Sequence, residues 1–420
     1  MARFRWFAIP LAALALAVGL WLTRRPTASP SEPRTPGSRL FEQVFAKVKN
    51  AAVDPVDDQE LYRRAAAGVI DELDDPYAVL LLPGEHPPPA EDVPVPQGLY
   101  LDRRDGNVVV VATVQGSPAD SAGVRPGDRL IAIDSVPLDA TRIDRVVGLL
   151  TGKPGSSVVL RVRRDSVRGP VALPVVRGQL PRMANLETAV LGGGVARVRI
   201  ARFAAGIADS VRRRVEGLRE QGARSLVLDL RSTVGGDLDA GVSVADLFLE
   251  RGKTIALSRA RAAGASASFM DSAASAFSDM PLAVLIDRGT AGAAEVVAGA
   301  LQDHDRAAVL GSSSFGRGVT QSLFRLGTGA SLSLTTSLWI TPSGRQIQRP
   351  PRPAGGDSLP RPTVKSDAGR VLVGGGGIVP DRQIAEGEHG DLALAEARRV
   401  LMRAGSPQEV LALLREEPSR

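Results

Sequence analysis

LAVLIDRGTAGAAEVVAGALQDHDRAAVL, Leu282 to Leu310, carries the pattern from which the fold is read. Leu282 to Ile286 is a continuous apolar run of strand length, and Ala307 to Leu310 is another. Glu295 to Gln302 between them reads as helix, so strand, turn, helix and strand follow in order. The alternation continues on both sides. Val195–Ile200, Ser225–Leu230 and Ser331–Thr336 read as strands, and Ile207–Gln221 and Leu238–Leu249 as helices. This predicts an α/β core over residues 190–385, with helices packed on a sheet.

Upstream, residues 97–178 change character. Val108–Val114, Arg129–Ile133, Val158–Val162 and Val171–Val176 read as strands, with glycines at 123, 127 and 155 marking turns. Ile143, Val146, Val147 and Leu150 form one face of a helix, giving a small mostly-β domain. A Pro-rich stretch, Pro83–Pro96, separates it from residues 39–85. There Leu40, Val44 and Val48, then Leu61, Ala65, Val69 and Leu73, fit two helices broken near Asp54-Pro55. Residues 26–38 read as a Pro/Ser-rich tether, Arg349–Gly377 as a loop, and residues 386–420 as helical with a break at Gly405–Pro407. The fold class is multidomain α/β: a helical N-terminal segment, a mostly-β domain and an α/β core.

Apolar residues make up 44% of the 420, enough for sizeable cores. The net charge of +6 is spread out, and aromatic residues are 4%, so the runs Arg161–Arg164 and Arg212–Arg214 are read as solvated faces and no nucleic-acid partner is expected. With no cysteine, disulfides and thiolate metal sites are excluded. Arg3 and Arg5 precede an uncharged, mostly apolar run from Trp6 to Leu22, so residues 1–25 read as an uncleaved membrane anchor in preference to a cleaved signal. The rest of the chain is then expected in the cell envelope or periplasm. No metal or cofactor is expected: His86 and His389 lie in the boundary and the tail, and His304 reads as a satisfied helix-end residue.

GSPADSAGVRPGDRLIAID, Gly116 to Asp134, resembles the PDZ signature of bacterial proteases. The resemblance implies a domain that adds a peptide as a strand at a sheet edge and captures its terminal carboxylate with backbone N–H groups. It places the carboxylate loop at Gly98, Leu99, Tyr100 and Leu101, with Tyr100 where many members have glycine. Ile143, Val147 and Leu150 would form the apolar wall for the last side chain, or else belong to the domain's own core.

Four further strings resemble the C-terminal processing peptidases, the tail-specific serine proteases. They are DLRSTVGGDLDAGVSVADLFL (229–249), GTAGAAEVVAGALQDHDRA (289–307), GSSSFGRGVTQ (311–321) and LTTSLWITPSGRQIQ (334–348). VDPVDDQELYRRAAAGVIDELDDPYAVLL (53–81) and GGGGIVPD (374–381) match the family's opening and closing segments, so the likeness covers roughly Leu40 to Ile384 in family order. It implies a serine nucleophile, a lysine general base and an assisting glutamine. In this chain the serine position is Gly292, the lysine position Arg317, and Gln321 is kept. Gly235, Gly236 and Ala293 stand where the family's oxyanion-binding N–H groups lie.

Glycine has no nucleophile, and an arginine with a pKa above about 12 stays protonated and is no base. Ser312, Ser313 and Ser314 are the best alternative nucleophiles, yet neither Lys253 nor Lys365 lies near them in sequence. The expectation is a catalytically degenerate member that binds peptide or protein C-termini. An active endopeptidase with a displaced dyad, or a structural partner of an active homologue, are the alternatives.

Overall fold

The computed structural model describes residues 35–416, apart from 74, 86–92, 139–142, 183, 263, 272–274, 328, 351–360 and 385–390. The expected anchor, most of the tether, His86 and His389 lie outside the described residues. No helix among those described is long and apolar enough to cross a membrane. The chain divides into two compact units, Met1–Asp71 and Glu72–Arg420.

In the first unit α1 (Pro36–Ala51) begins inside the stretch expected as tether, because Thr35 caps it by accepting the Ser38 N–H at 3.2 Å. A proline in the first turn costs no hydrogen bond. α2 (Asp58–Asp71) folds back, joined by Lys49–Asp58 at 2.6 Å and by Phe45 stacked at 4.4 Å on Tyr62. Leu40, Val44 and Val48, the apolar stripe read from the sequence, are exposed.

Residues 72–85, expected with these helices, fall in the second unit, where β1 (Val79–Leu81) is a strand. The mostly-β domain follows: β2 (Leu99–Arg104), β3 (Asn107–Thr113), the short α3 (Pro118–Ser121), β4 (Arg129–Ile133), β5 (Val136–Pro137), α4 (Ile143–Leu150), β6 (Ser157–Arg163) and β7 (Pro170–Val176). Its antiparallel sheet runs β2-β3-β4-β6-β7, with β5 on β4, so β2 is an edge. β6 shows the alternation behind the strand reading: Val158, Leu160 and Val162 enter the core, while Arg161 and Arg163 face solvent. Arg164 turns back to pair with buried Asp128 at 2.7 Å.

The core is built from β8 (Leu186–Gly192), β9 (Val195–Ile200), α5 (Ile207–Glu220), β10 (Ser225–Asp229), α6 (Leu238–Asp246), β11 (Thr254–Ala260), β12 (Ala267–Met270), β13 (Leu282–Ile286), α7 (Ala293–Asp303), β14 (Ala308–Gly311), β15 (Val319–Arg325), β16 (Ser331–Ile340), β17 (Thr363–Lys365), β18 (Val371–Val373), β19 (Arg382–Gln383), α8 (Leu392–Arg403) and α9 (Pro407–Glu416). The central sheet runs β19-β14-β13-β10-β9-β8, parallel except for β8. The central strands β10, β13 and β14 are covered on both faces, so they are buried along their length and mainly apolar. Leu226, Leu228, Val284 and Ile286 face α5, α6 and α7, while Val227, Ala283 and Leu285 face α8 and α9. A second sheet, β1-β16-β11-β12 with β15 on β16, is antiparallel. Every residue of α7 is buried, which explains why it shows no polar stripe. The stretch 349–377, expected as a loop, contains the β17–β18 hairpin instead.

Candidate functional site

Parallel strands deliver their loops to one end of the sheet, and the site is made there. After β13 the chain turns through Asp287–Ala291 and enters α7 at Gly292, whose φ of 70° and ψ of −126° suit glycine. Half-buried Asp287 holds the turn by accepting from the Ser232 N–H and hydroxyl, the Gly289 N–H and the Thr290 hydroxyl. A Cβ at position 292 would lie 3.0 Å from the Cα of Gly235, so the loop after β10 closes into the space that a side chain would need.

Glu295 is the organising group. Wholly buried, it accepts from the Gly292 N–H at 3.1 Å, the Arg317 N–H at 2.8 Å, the Gly316 N–H at 2.7 Å and the Ser314 hydroxyl. One carboxylate therefore fixes the elbow and the loop carrying Arg317 relative to each other. Burial pushes its pKa up, and the bonds from Ser314, Arg317, Gly316 and Gly292 oppose the rise.

Position 292 and position 317 meet at one cavity of about 340 Å³, lined by Gly235, Gly236, Asp237, Gly292, Arg317, Val319 and Trp339. The Gly235 N–H is engaged by the Ala291 carbonyl at 3.2 Å. The N–H groups of Gly236, which lines the cavity, and of Ala293, the first residue of α7, donate to no atom among the described residues. Arg317 is almost wholly buried and pairs at 2.7 Å with Asp102, itself buried on β2 of the mostly-β domain. Tyr77 completes the cluster: its hydroxyl donates to Asp102 at 3.3 Å and its ring lies 5.4 Å from the guanidinium. Burial, then the Asp102 charge, pushes the Tyr77 pKa up to about 12. Asp75 seats Tyr77 by accepting from the N–H and hydroxyl of Thr335.

Gln321 is exposed and donates to the Tyr77 carbonyl at 3.0 Å. Ser314 is buried, donating to Glu295 and accepting from the Ile378 N–H at 2.6 Å, while Ser312 lines a different cavity with Arg125, Arg164 and Arg288. Lys253 pairs with Asp367 at 2.7 Å. His304 meets the same carboxylate through Nδ1 at 2.9 Å and the Thr254 carbonyl through Nε2 at 2.7 Å, so it ties a helix end to a strand.

The β3 strand lies over this cleft. Val109, Val111 and Ala112 pack on Val234, Ala291 and Phe315, and Gly289 comes so close that a Cβ there would stand 3.0 Å from that of Ala112. Arg104 sits 3.9 Å over the Phe315 ring and donates to the Phe315 carbonyl at 3.0 Å. Tyr100 packs toward the same contact, on the peptidase side of the domain. At its free edge β2 is bridged by Val95 at Leu99 and pairs with no further strand among the described residues, and α4 packs beside it. Ile143 and Val147 are half-buried there, whereas Leu99 and Leu150 are wholly buried in the domain core. Of the three residues expected either as an apolar wall or as core, Leu150 is core, while Ile143 and Val147 keep partly exposed faces. Gly98 begins the loop at φ 82°, and any side chain there would strike Ser117, whose Cβ is 2.3 Å from the Cβ position.

The profile of peptidase family S41 matches residues 194–352, and that of the PDZ domain residues 109–164. The chain is 32% identical to a carboxyl-terminal-processing protease of Synechocystis over 303 residues, 70% of each chain. It is 26% identical to the carboxy-terminal processing protease CtpA of Bacillus subtilis, over 80% of this chain and 73% of that one. The solved photosystem II D1 C-terminal processing protease superposes with a TM-score of 0.65 at 26% identity, over 89% of this chain and 93% of that one. The chain belongs to the carboxyl-terminal processing protease family, with a PDZ domain joined to an S41 peptidase fold.

Proposed function

We propose that this chain is a pseudoprotease that holds peptide or protein C-termini without cutting them. The observation that carries the reading is the pair at the cleft: Gly292 offers no nucleophile, and Arg317, locked to Asp102, offers a permanent cation in place of a base. Among the residues from which a displaced dyad would be drawn, Ser312, Ser313, Ser314, Lys253 and Lys365, Ser314 is committed to Glu295 and Lys253 to Asp367. Binding needs none of this chemistry. The open edge of β2 beside Ile143 and Val147 supports strand addition with an apolar pocket for the last side chain. The N-terminal run Trp6–Leu22 would tether the protein at the outer face of the cytoplasmic membrane.

Fluorescence anisotropy of labelled peptides with apolar C-termini tests this on the full chain. Micromolar binding, roughly 8 kcal/mol, is expected. Ile143→Asp should weaken it about tenfold or more, since a charge in the pocket is left without a partner. Undetectable binding to the parent chain would end the tail-binding reading.

A further inference from the structure

Arginine for lysine does more than remove a base. A guanidinium is planar, always charged and matched in shape to a carboxylate. Arg317 lines the same cavity as Gly236, whose N–H donates to no atom among the described residues, and Gly292, the cap of α7, where the helix dipole favours negative charge. Every one of these features suits an anion. Asp237 stands at the exposed mouth, with its carboxylate turned to the Asp239 N–H as the cap of α6. Val319 and Trp339 supply an apolar wall. Arg317 already holds one carboxylate, that of Asp102 on the PDZ domain.

We propose that the altered cleft is a receptor for the terminal carboxylate of an apolar peptide tail, and that Asp102 is its internal occupant. Tail entry and closure of the PDZ domain over the cleft then compete for Arg317. The inference rests on the tail-binding reading above and adds a second seat for the tail. A buried cation left without a partner is strongly unfavourable, so Arg317 gives up Asp102 only to another anion. A free C-terminus brings that anion; an internal peptide segment does not. When the exchange occurs, Asp102 passes to water and the PDZ contact made by Val109, Val111 and Phe315 loses its charged anchor.

The test uses the full chain carrying Ile143→Asp, which weakens the PDZ groove, and a labelled peptide ending in valine as free acid and as C-terminal amide. The free acid should bind at least about tenfold more tightly than the amide, and Arg317→Gln should erase the difference. Equal binding of acid and amide, or a difference that survives Arg317→Gln, overturns the proposal and leaves tail binding by the groove standing. A second measurement avoids any folding defect at position 317. The chain has no cysteine, so spin labels at Arg168→Cys on the PDZ domain and Arg214→Cys on α5 report one distance. Saturating free acid should lengthen it and the amide should not; an unchanged distance at saturation contradicts competition with Asp102.

Discussion

The two positions that the family resemblance assigns to a dyad, Gly292 and Arg317, are held in opposite ways. At the Gly292 elbow no side chain is needed: Asp287 and Glu295 hold the turn through backbone groups, and the Gly235 loop closes against it. Arg317 instead makes a buried ion pair that crosses from the peptidase fold to the PDZ domain. The scaffold of a reactive site is thus separable from its reactive atoms, whereas a charge in the same place must find a partner and couples two domains.

Glu295→Ala strikes both positions at once and should have the largest effect. It strands three buried N–H groups and the Ser314 hydroxyl, for a loss of about 5 kcal/mol in urea unfolding. A loss no larger than that of an ordinary surface substitution would break the comparison, since the two positions would then be held independently. Arg317→Met leaves Asp102 buried and unpaired by it, and should cost about 3 kcal/mol. Adding Asp102→Leu should recover most of that, because an apolar pair replaces a buried ionic one. Failure to recover would mean that the pair is not what joins the domains.

Gly292→Ser is the smaller test, at the elbow. Its Cβ would meet Gly235 at 3.0 Å in a backbone region that side chains avoid, so a loss of about 1–2 kcal/mol is expected, without peptidase activity while Arg317 remains.

Much of this was legible in the sequence because buried parallel strands write themselves as apolar runs, as at Leu282–Ile286 and Ala307–Leu310. The elbow was legible through the string around Gly292. The partners were not. Asp102 sits in LYLDRR, an edge strand that resembles an ordinary half-exposed one, and its burial arises only when β3 docks on Val234 and Phe315. Tyr77 and Arg317 likewise meet only in the folded chain. Glu295 did leave a trace, three residues after the helix cap, where a carboxylate reaches back to the cap N–H. The side chain of Tyr100, at the start of β2, packs toward the domain contact next to a register shift between Tyr100 and Leu101, which the sequence did not signal.

The least disruptive prediction concerns Tyr77, one of three tyrosines. Its pKa in the folded chain is raised to about 12 from 10.0. The stability linked to it is therefore present in full below pH 10 and lost as pH rises through about 12. An ultraviolet titration should show one late tyrosine that disappears in Tyr77→Phe. Three tyrosines ionising together near pH 10 would place Tyr77 outside the Arg317–Asp102 cluster.

The most direct measurement is a mass-spectrometric time course of the purified full chain with unfolded casein and with peptides ending in apolar residues. Intact substrates are expected throughout, because no hydroxyl stands at Gly292 and no neutral amine at Arg317. Cleavage that survives repurification and disappears on changing Ser312, Ser313 or Ser314 to Ala would contradict the account.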